Sequence, residues 1–407
     1  MVKSTKYKTI TDYLLVWGLI AISGFDFFMP QMNIAILFLF AVFIFFKRNI
    51  PFNSSYLKVI LFFLLIEVIQ FLLIPGYDPK LILGTQLRLF VGLFIITITG
   101  VKFINYYINI IYFFSIVSFI FFIPCVISPN VYHFFVDSVC PFFVSPFAEP
   151  NVFYTPPATN ILFCFHEVII EEFRNPGPFW EPGAFAIFLN LALIFNLIIH
   201  KNVWTKKNIV LSLALISTLS TSGYIAFFLL IFAFYTINQS LFKRIMYGIF
   251  LLPILIGLYF SLDFLNKKVE KNISLAGTTT TSRFGSAEAD YKDFLNSPII
   301  GWGRGEATRY GGKTVAFFTV DQHRNNGATD LLATYGIFLT VFCFYYYFKA
   351  FKAICIYSNF NQGFAFYAFI ILFLLGFSQG IFQYAFFKSL LFLNVTYSIN
   401  FKQKEIT

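Results

Sequence analysis

Charged side chains are what this chain has least of. Asp, Glu, Lys and Arg make up 12% of its 407 residues, whereas 58% are hydrophobic and 61 are Phe. Soluble domains carry roughly 25% charged residues, so a soluble globular enzyme is excluded. Apolar runs close to the roughly 20 residues that cross a bilayer recur along the chain, and backbone in lipid satisfies its own hydrogen bonds as a helix. We therefore predict an all-α, polytopic membrane helix bundle that forms a single transmembrane domain over residues 1–407.

Cysteine is also scarce, and its spacing is uninformative for metals. None of the five cysteines belongs to a Cys-x-x-Cys pair, which argues against a zinc or redox site. The HEVIIEE segment at His166 lacks the second His of a zinc-binding helix motif, so we expect neither a metal nor a cofactor. Cys140 and Cys164 share a predicted outer loop in which a disulfide is chemically permitted, although small buried thiols are the favoured interpretation.

The hydropathy pattern predicts about twelve membrane-spanning helices. They cover residues 13–28, 32–46, 57–74, 82–100, 104–127, 179–199, 208–221, 223–238, 245–262, 328–348, 364–382 and 388–401.

Lys and Arg fall in every second connection between these spans, and the opposite short connections contain only Lys80 and Lys388. Because basic residues favour the cytoplasmic side, both termini are predicted to be cytoplasmic. The net charge of +10 is mostly this topology signal, and a nucleic-acid partner is not expected. The residues that carry the signal are Lys3, Lys6, Lys8, Lys47, Arg48, Lys58, Lys102, Lys201, Lys206, Lys207, Lys243, Arg244, Lys349, Lys352, Lys402 and Lys404.

Two long polar segments, residues 129–178 and 263–327, are predicted to be extracytoplasmic loops. Within the second loop, residues 283–295 place apolar side chains such as Phe284 and Tyr291 at helical spacing. This pattern predicts an amphipathic helix that lies on the membrane face or on the bundle.

Arg174 and Glu181 stand where the first outer loop enters a span. A planar guanidinium can bind a diphosphate through two hydrogen bonds, Gly177 permits close backbone approach, and a helix N-terminus offers free N–H groups. Glu181 can accept a proton from a hydroxyl. The simpler alternatives are an interfacial Arg that reaches head groups and an acidic residue that is favourable beside a helix N-terminus.

Three further residues are candidates for the same chemistry. Arg88 lies inside the fourth predicted span, where a charge usually faces a cavity or a partner, and Glu67 and Gln70 are its alternative partners. Arg283 begins the predicted amphipathic helix, with solvated surface as the alternative. His323 has a side chain suited to general-base work near neutral pH, although a lone loop His is more often plain surface.

Four short motifs stand in order at the ends of predicted spans. They are Arg174-x-x-Gly177-x-x-x-Glu181-Pro182-Gly183, Ser220 to Gly223, Ser282-Arg283 with Ser297 to Gly303, and His323 to Gly336. With the many spans and two outer loops, they resemble the O-antigen polymerase and O-antigen ligase superfamily of bacterial membrane glycosyltransferases, over most of the chain. The Glu181-Pro182 form of the first motif favours the polymerase type.

The chain departs from this family in its last motif. Family members place a His directly before an Asn, with a Gly further along. Here Asn325 and Asn326 occupy that register before Gly336, and His323 lies earlier in the loop. The general base is therefore either His323, brought in by a bend of the loop, or Glu181.

The resemblance implies a metal-independent glycosyl transfer at the outer face of the bacterial cytoplasmic membrane. Oligosaccharide units carried on undecaprenyl diphosphate would be joined into O-antigen, capsule or exopolysaccharide, with membrane lipids and a chain-length regulator protein as further partners. The alternatives are a ligase that moves glycan to lipid A core or protein, and a lipid-linked oligosaccharide flippase. The implied catalytic residues are Arg174, Glu181 and His323, and the implied substrate-binding residues are Arg88, Arg174, Gly177, Arg283, Asn325 and Asn326.

The predicted sidedness can be tested by cysteine labelling. Cysteines introduced at Ser145 and Gly312 are expected to react with an impermeant thiol reagent in intact spheroplasts, because the basic connections lie on the other side. A cysteine at Ser358, in a basic connection, serves as the protected control. Protection of both loop cysteines would reject the topology.

Overall fold

A computed structural model describes residues 2–144, 159–165, 173–240, 242–243, 245–249, 283–309 and 326–406. In these parts all regular secondary structure is helical, which confirms the all-α class. His323, Asn325 and most of the predicted span 245–262 lie outside the described residues.

The helices are numbered in chain order. They are α1 (Val2–Gly24), α2 (Gln31–Lys47), α3 (Leu57–Leu73), α4 (Lys80–Thr99), α5 (Phe103–Ile127), α6 (Pro129–Phe134), α7 (Pro182–His200), α8 (Lys206–Ser217), α9 (Thr221–Thr236), α10 (Arg283–Asn296), α11 (Glu306–Arg309), α12 (Gly327–Tyr357), α13 (Phe364–Ser378), α14 (Ala385–Leu390) and α15 (Leu393–Ile406).

Four helical stretches in the described parts are long and apolar enough to cross a membrane, and shorter apolar helices are α2, α9 and α13. The membrane class is supported at this level, and the count of twelve spans stays a prediction. Among the long stretches α7 is the most enclosed, which places it at the centre of the bundle. The four stretches are Ser54–Leu73, Lys80–Ile127, Pro182–His200 and Gly327–Tyr357.

The predicted last span, 388–401, requires correction. The chain forms the short helix α14 and then α15, and Lys388 lies inside α14 rather than in an outer connection. Its side chain is buried, with the ammonium 4.5 Å from the ring centroid of Phe63 and 5.7 Å from that of Tyr335. These aromatic faces stabilise a cation away from water, which the hydropathy pattern does not reveal.

Basic residues lie at one end of the bundle, where they make polar contacts between helices. Arg48 at the end of α2 pairs with Asp12 of α1 at 2.5 Å, and Lys207 of α8 donates to Asn109 of α5 at 2.5 Å. At the opposite end, the chain entering α7 meets the end of α1, where Trp180 N donates to the Gly24 carbonyl at 3.2 Å. The candidate site lies at this second end.

A backbone crossing joins the segment after α10 to a kink in α12. Gly336 interrupts α12 with φ +71°, and Gly301 adopts φ +68° opposite it. Trp302 N donates to Ala333 O at 3.0 Å, and Ile337 N donates to Pro298 O at 2.9 Å. A Cβ on either glycine would overlap backbone of the other segment. We call this contact the Gly301–Gly336 crossing.

Helix α10 confirms the helix predicted at 283–295, but it packs through its polar face. Asp290 is fully buried and accepts a hydrogen bond from Arg309 at 2.6 Å. Arg309 also pairs with Asp330 and donates to Thr334 at 2.7 Å. Because buried charges need partners, this ion group turns the polar face inward and leaves Phe284 half-exposed on the outside.

One methyl group added at the Gly301–Gly336 crossing is predicted to lower the thermal stability of the protein strongly. Gly336→Ala is expected to lower the thermal midpoint of the purified protein more than Gly76→Ala. Both substitutions force Ala to positive φ, which costs about 1–2 kcal/mol. Only Gly336 also meets backbone atoms, which adds about 1–3 kcal/mol of overpacking. Equal midpoints for the two variants would contradict a close-packed crossing.

Candidate functional site

Glu181 stands at the N-terminus of α7 without capping it. Its backbone is extended, Pro182 occupies the first turn, and its side chain makes no capping hydrogen bond. The carboxylate instead accepts a hydrogen bond from Gln379 Nε2, just beyond α13. The local geometry therefore turns this carboxylate toward other segments of the bundle and away from its own helix.

Arg283 faces the same carboxylate. Burial lowers the pKa of the Arg283 guanidinium, and the nearby Glu181 carboxylate raises it. The group stays a cation, since a guanidinium keeps its proton under all ordinary conditions. Two predicted site residues that are far apart in sequence thus lie within electrostatic range of each other.

Tyr384 connects this pair to further cations. Burial raises the pKa of the Tyr384 phenol, and so does the Glu181 carboxylate. The hydrogen bond to Gln383 and the charges of Arg304 and Arg88 lower that pKa. Its ring also packs against Trp180, with centroids 5.4 Å apart. Tyr384 therefore lies among a carboxylate and two arginines from three other segments.

Arg88 does not pair with the partners that its sequence neighbourhood suggested. Its Nη1 donates to the carbonyl of Gly84 on its own helix at 2.9 Å. Glu67 accepts from Gln86 at 3.0 Å, and Gln70 donates to backbone carbonyls. Arg88 instead lies within electrostatic range of Arg304.

Arg304 is a site residue that the motif analysis missed. Its Nη2 donates to Gln383 Oε1, whereas its buried Nη1 has no hydrogen-bond partner among the described residues. The neighbouring Tyr77 hydroxyl is likewise buried without a partner there. Burial and the Glu67 carboxylate raise the pKa of Tyr77, and Arg304 lowers it. The only sequence signal was an Arg directly after the glycine turn Gly301-Trp302-Gly303 in the second predicted outer loop.

Lys388 adds a buried cation to the same region. No carboxylate forms a direct ion pair with it in the described parts, although Glu67, Arg304 and Arg88 act on it electrostatically. Among the described residues of this region, cations outnumber carboxylates, an arrangement that favours an anionic ligand. We call the set the cationic group, and its members are Arg88, Arg283, Arg304 and Lys388, with the carboxylates Glu67 and Glu181.

The structure also gives the contacts of three further predicted residues. Arg174 is held by its Nε, which donates to the Thr218 carbonyl at 3.0 Å. Gly177 is buried at φ +54°, and its N–H donates to Asn175 within the turn, so it shapes the turn and presents no N–H to a ligand. Asn326 caps α12 by accepting from Ala328 N and Thr329 N.

The cysteines follow the favoured interpretation. No disulfide joins Cys140 and Cys164, and all five cysteines are buried. Burial raises the pKa of the Cys140 thiol to about 11, so this thiol stays protonated near neutral pH. Among the described residues no group of three or more His, Cys, Asp and Glu side chains gathers as metal ligands would.

A scan against protein-family models finds no match, and a search of curated proteins finds none either.

The cationic group predicts binding of inorganic diphosphate. Arg304→Gln is expected to weaken that binding about tenfold or more, because a charge-assisted hydrogen bond contributes about 1.5–3 kcal/mol. Titration calorimetry of the detergent-purified protein measures it. Arg48→Gln, which removes an arginine at the other end of the bundle, is the matched control. Equal affinity in the Arg304 and Arg48 variants would contradict the assignment of Arg304.

Proposed function

We propose that this protein is a membrane glycosyltransferase that joins lipid-diphosphate-linked oligosaccharide units into a surface polysaccharide. The reaction would take place at the outer face of the bacterial cytoplasmic membrane. The observation that carries the proposal is the cationic group beside Glu181 at the end of the bundle opposite the basic connections. A second support is the resemblance of the motifs around Arg174, Arg283 and Gly336 to polymerases of this kind.

The proposed substrate class follows from the charge of the cationic group and from the apolar helices around it. A diphosphate is a compact polyanion that arginines bind through parallel hydrogen bonds. The cationic group has four cations against two carboxylates, so a bound diphosphate offsets an excess of positive charge. The helices around it are apolar, which suits the lipid chain that such a diphosphate carries.

The proposed reaction is a direct displacement. A hydroxyl oxygen of the acceptor sugar forms a bond to the anomeric carbon of the donor, and the bond from that carbon to the diphosphate oxygen breaks. The diphosphate leaves with the bonding electron pair, and Arg283 and Arg304 stabilise its added charge. The hydroxyl proton passes to the carboxylate of Glu181, which acts as general base.

Two further predicted site residues keep proposed roles in this scheme. Arg174, fixed through its Nε near the end of α8, is a further ligand for the diphosphate. Arg88, whose guanidinium lies within range of Arg304 and Tyr384, extends the same electrostatic field into the bundle. His323 is the competing base, and it lies outside the described residues.

The role of Glu181 gives the test in cells. In a gene-deletion strain, Glu181→Gln is expected to leave single repeat units without the polysaccharide ladder, because Gln cannot take the proton and loss of a general base costs about 10²–10⁴-fold in rate. The matched control is Glu288→Gln, which changes an exposed carboxylate on α10 and should restore the ladder at equal protein level.

Other outcomes discriminate the alternatives. Retained single units in the deletion strain support a polymerase, whereas loss of all surface glycan indicates a ligase or a flippase. A full ladder with Glu181→Gln together with no ladder for His323→Ala would reverse the assignment of the base.

A further inference from the structure

One face of α3 contacts both the cationic group and the segment that carries Arg304. Phe63, Glu67 and Gln70 follow one another at helical spacing, so they share this face. All three are buried. Phe63 lies under the Lys388 ammonium, and Glu67 and Gln70 are polar residues inside an otherwise apolar helix. Buried polar groups in such a helix usually have a specific partner.

Gln70 fixes the backbone that leads to Arg304. Its Nε2 donates to Ile300 O at 2.5 Å and to Thr334 O at 2.7 Å, one carbonyl on each side of the Gly301–Gly336 crossing. Gly303 N also donates to Thr334 O, at 2.9 Å. Arg304 is the next residue, so its Cα position depends on this set of hydrogen bonds.

Glu67 acts on the charge of Arg304. Its carboxylate accepts hydrogen bonds from Gln86 at 3.0 Å and from Tyr335 at 3.4 Å, which fix its position. Arg304 and Lys388 both interact with it electrostatically. Opposite charge draws the Arg304 guanidinium inward, while the buried Lys388 ammonium repels it.

We propose that Glu67 and Gln70 are positioning residues that hold the Arg304 guanidinium where it binds the diphosphate of the lipid-linked substrate. Gln70 sets the backbone, and Glu67 attracts the guanidinium that also donates a hydrogen bond to Gln383. This inference rests on the proposed function, because it assumes that the ligand of Arg304 is a diphosphate.

The test uses full-length purified protein and inorganic diphosphate as the probe. Glu67→Gln is expected to weaken binding about tenfold, since one charged interaction is lost and Arg304 shifts. In an Arg304→Gln background the same change should have no further effect, because residues that act through one another are not additive.

A charge-restoring variant separates positioning from mere structural support. Gln86 faces Glu67 at hydrogen-bond distance, so the exchange Glu67→Gln with Gln86→Glu keeps both side-chain types and moves the carboxylate only across that bond. Affinity is expected to return most of the way to that of the wild type. Thermal midpoints measured in parallel identify any variant that fails to fold. If Glu67→Gln alone fails to fold, the affinity of the double exchange variant is compared with that of the wild type instead.

The outcomes are distinguishable. Unchanged affinity in Glu67→Gln, or full additivity with Arg304→Gln, would overturn the inference and leave the proposed function in place. A wild-type protein that binds no diphosphate would overturn both. Weakened binding that the exchange with Gln86 restores supports the positioning role.

Discussion

The Gly301–Gly336 crossing is the contact on which the described site depends. Two backbone segments meet there without side chains between them, and they exchange hydrogen bonds in place of those that the kink removes from α12. Backbone groups in an apolar bundle have no water to bond, so a kink survives only where another segment satisfies it. The same contact places Arg304 on the turn, within electrostatic range of Glu67 on α3.

A second group of charges supports that crossing from the outer side. Arg309 joins Asp290 of α10 to Asp330 and Thr334 of α12, so the two helices are tied by a buried ion group. Ion pairs of this kind contribute little net stability but are costly to break singly, which makes their geometry specific. In contrast, the described members of the cationic group include more cations than carboxylates, which distinguishes this candidate binding site from a structural ion group.

Some elements were predictable because their cause is local. Hydropathy located α3, α4, α5 and α7 within a few residues, since each is a predominantly apolar run. The positions of Glu181 and Arg283 at helix starts were also predicted, from the apolar run after Glu181 and from the helical spacing of apolar residues after Arg283. The burial of Lys388 was not predicted, because a single Lys beside an apolar run resembles the end of a span. Its burial is explained by the rings of Phe63 and Tyr335, which lie beside its ammonium. Arg304 was missed for a similar reason, because a glycine turn carries no sign of its neighbours.

The sequence by itself determined the helical class, the apolar character of the bundle and the candidate residues Arg88, Glu181 and Arg283, because composition and periodicity act over a few turns of one helix. Only the tertiary structure decided which of these charges meet. Glu181 faces Gln379 and Arg283, and Arg88 lies near Arg304, through contacts between segments far apart in the chain. Electrostatic interactions depend on distance in space and on burial, and neither quantity is encoded in the spacing of residues along the sequence.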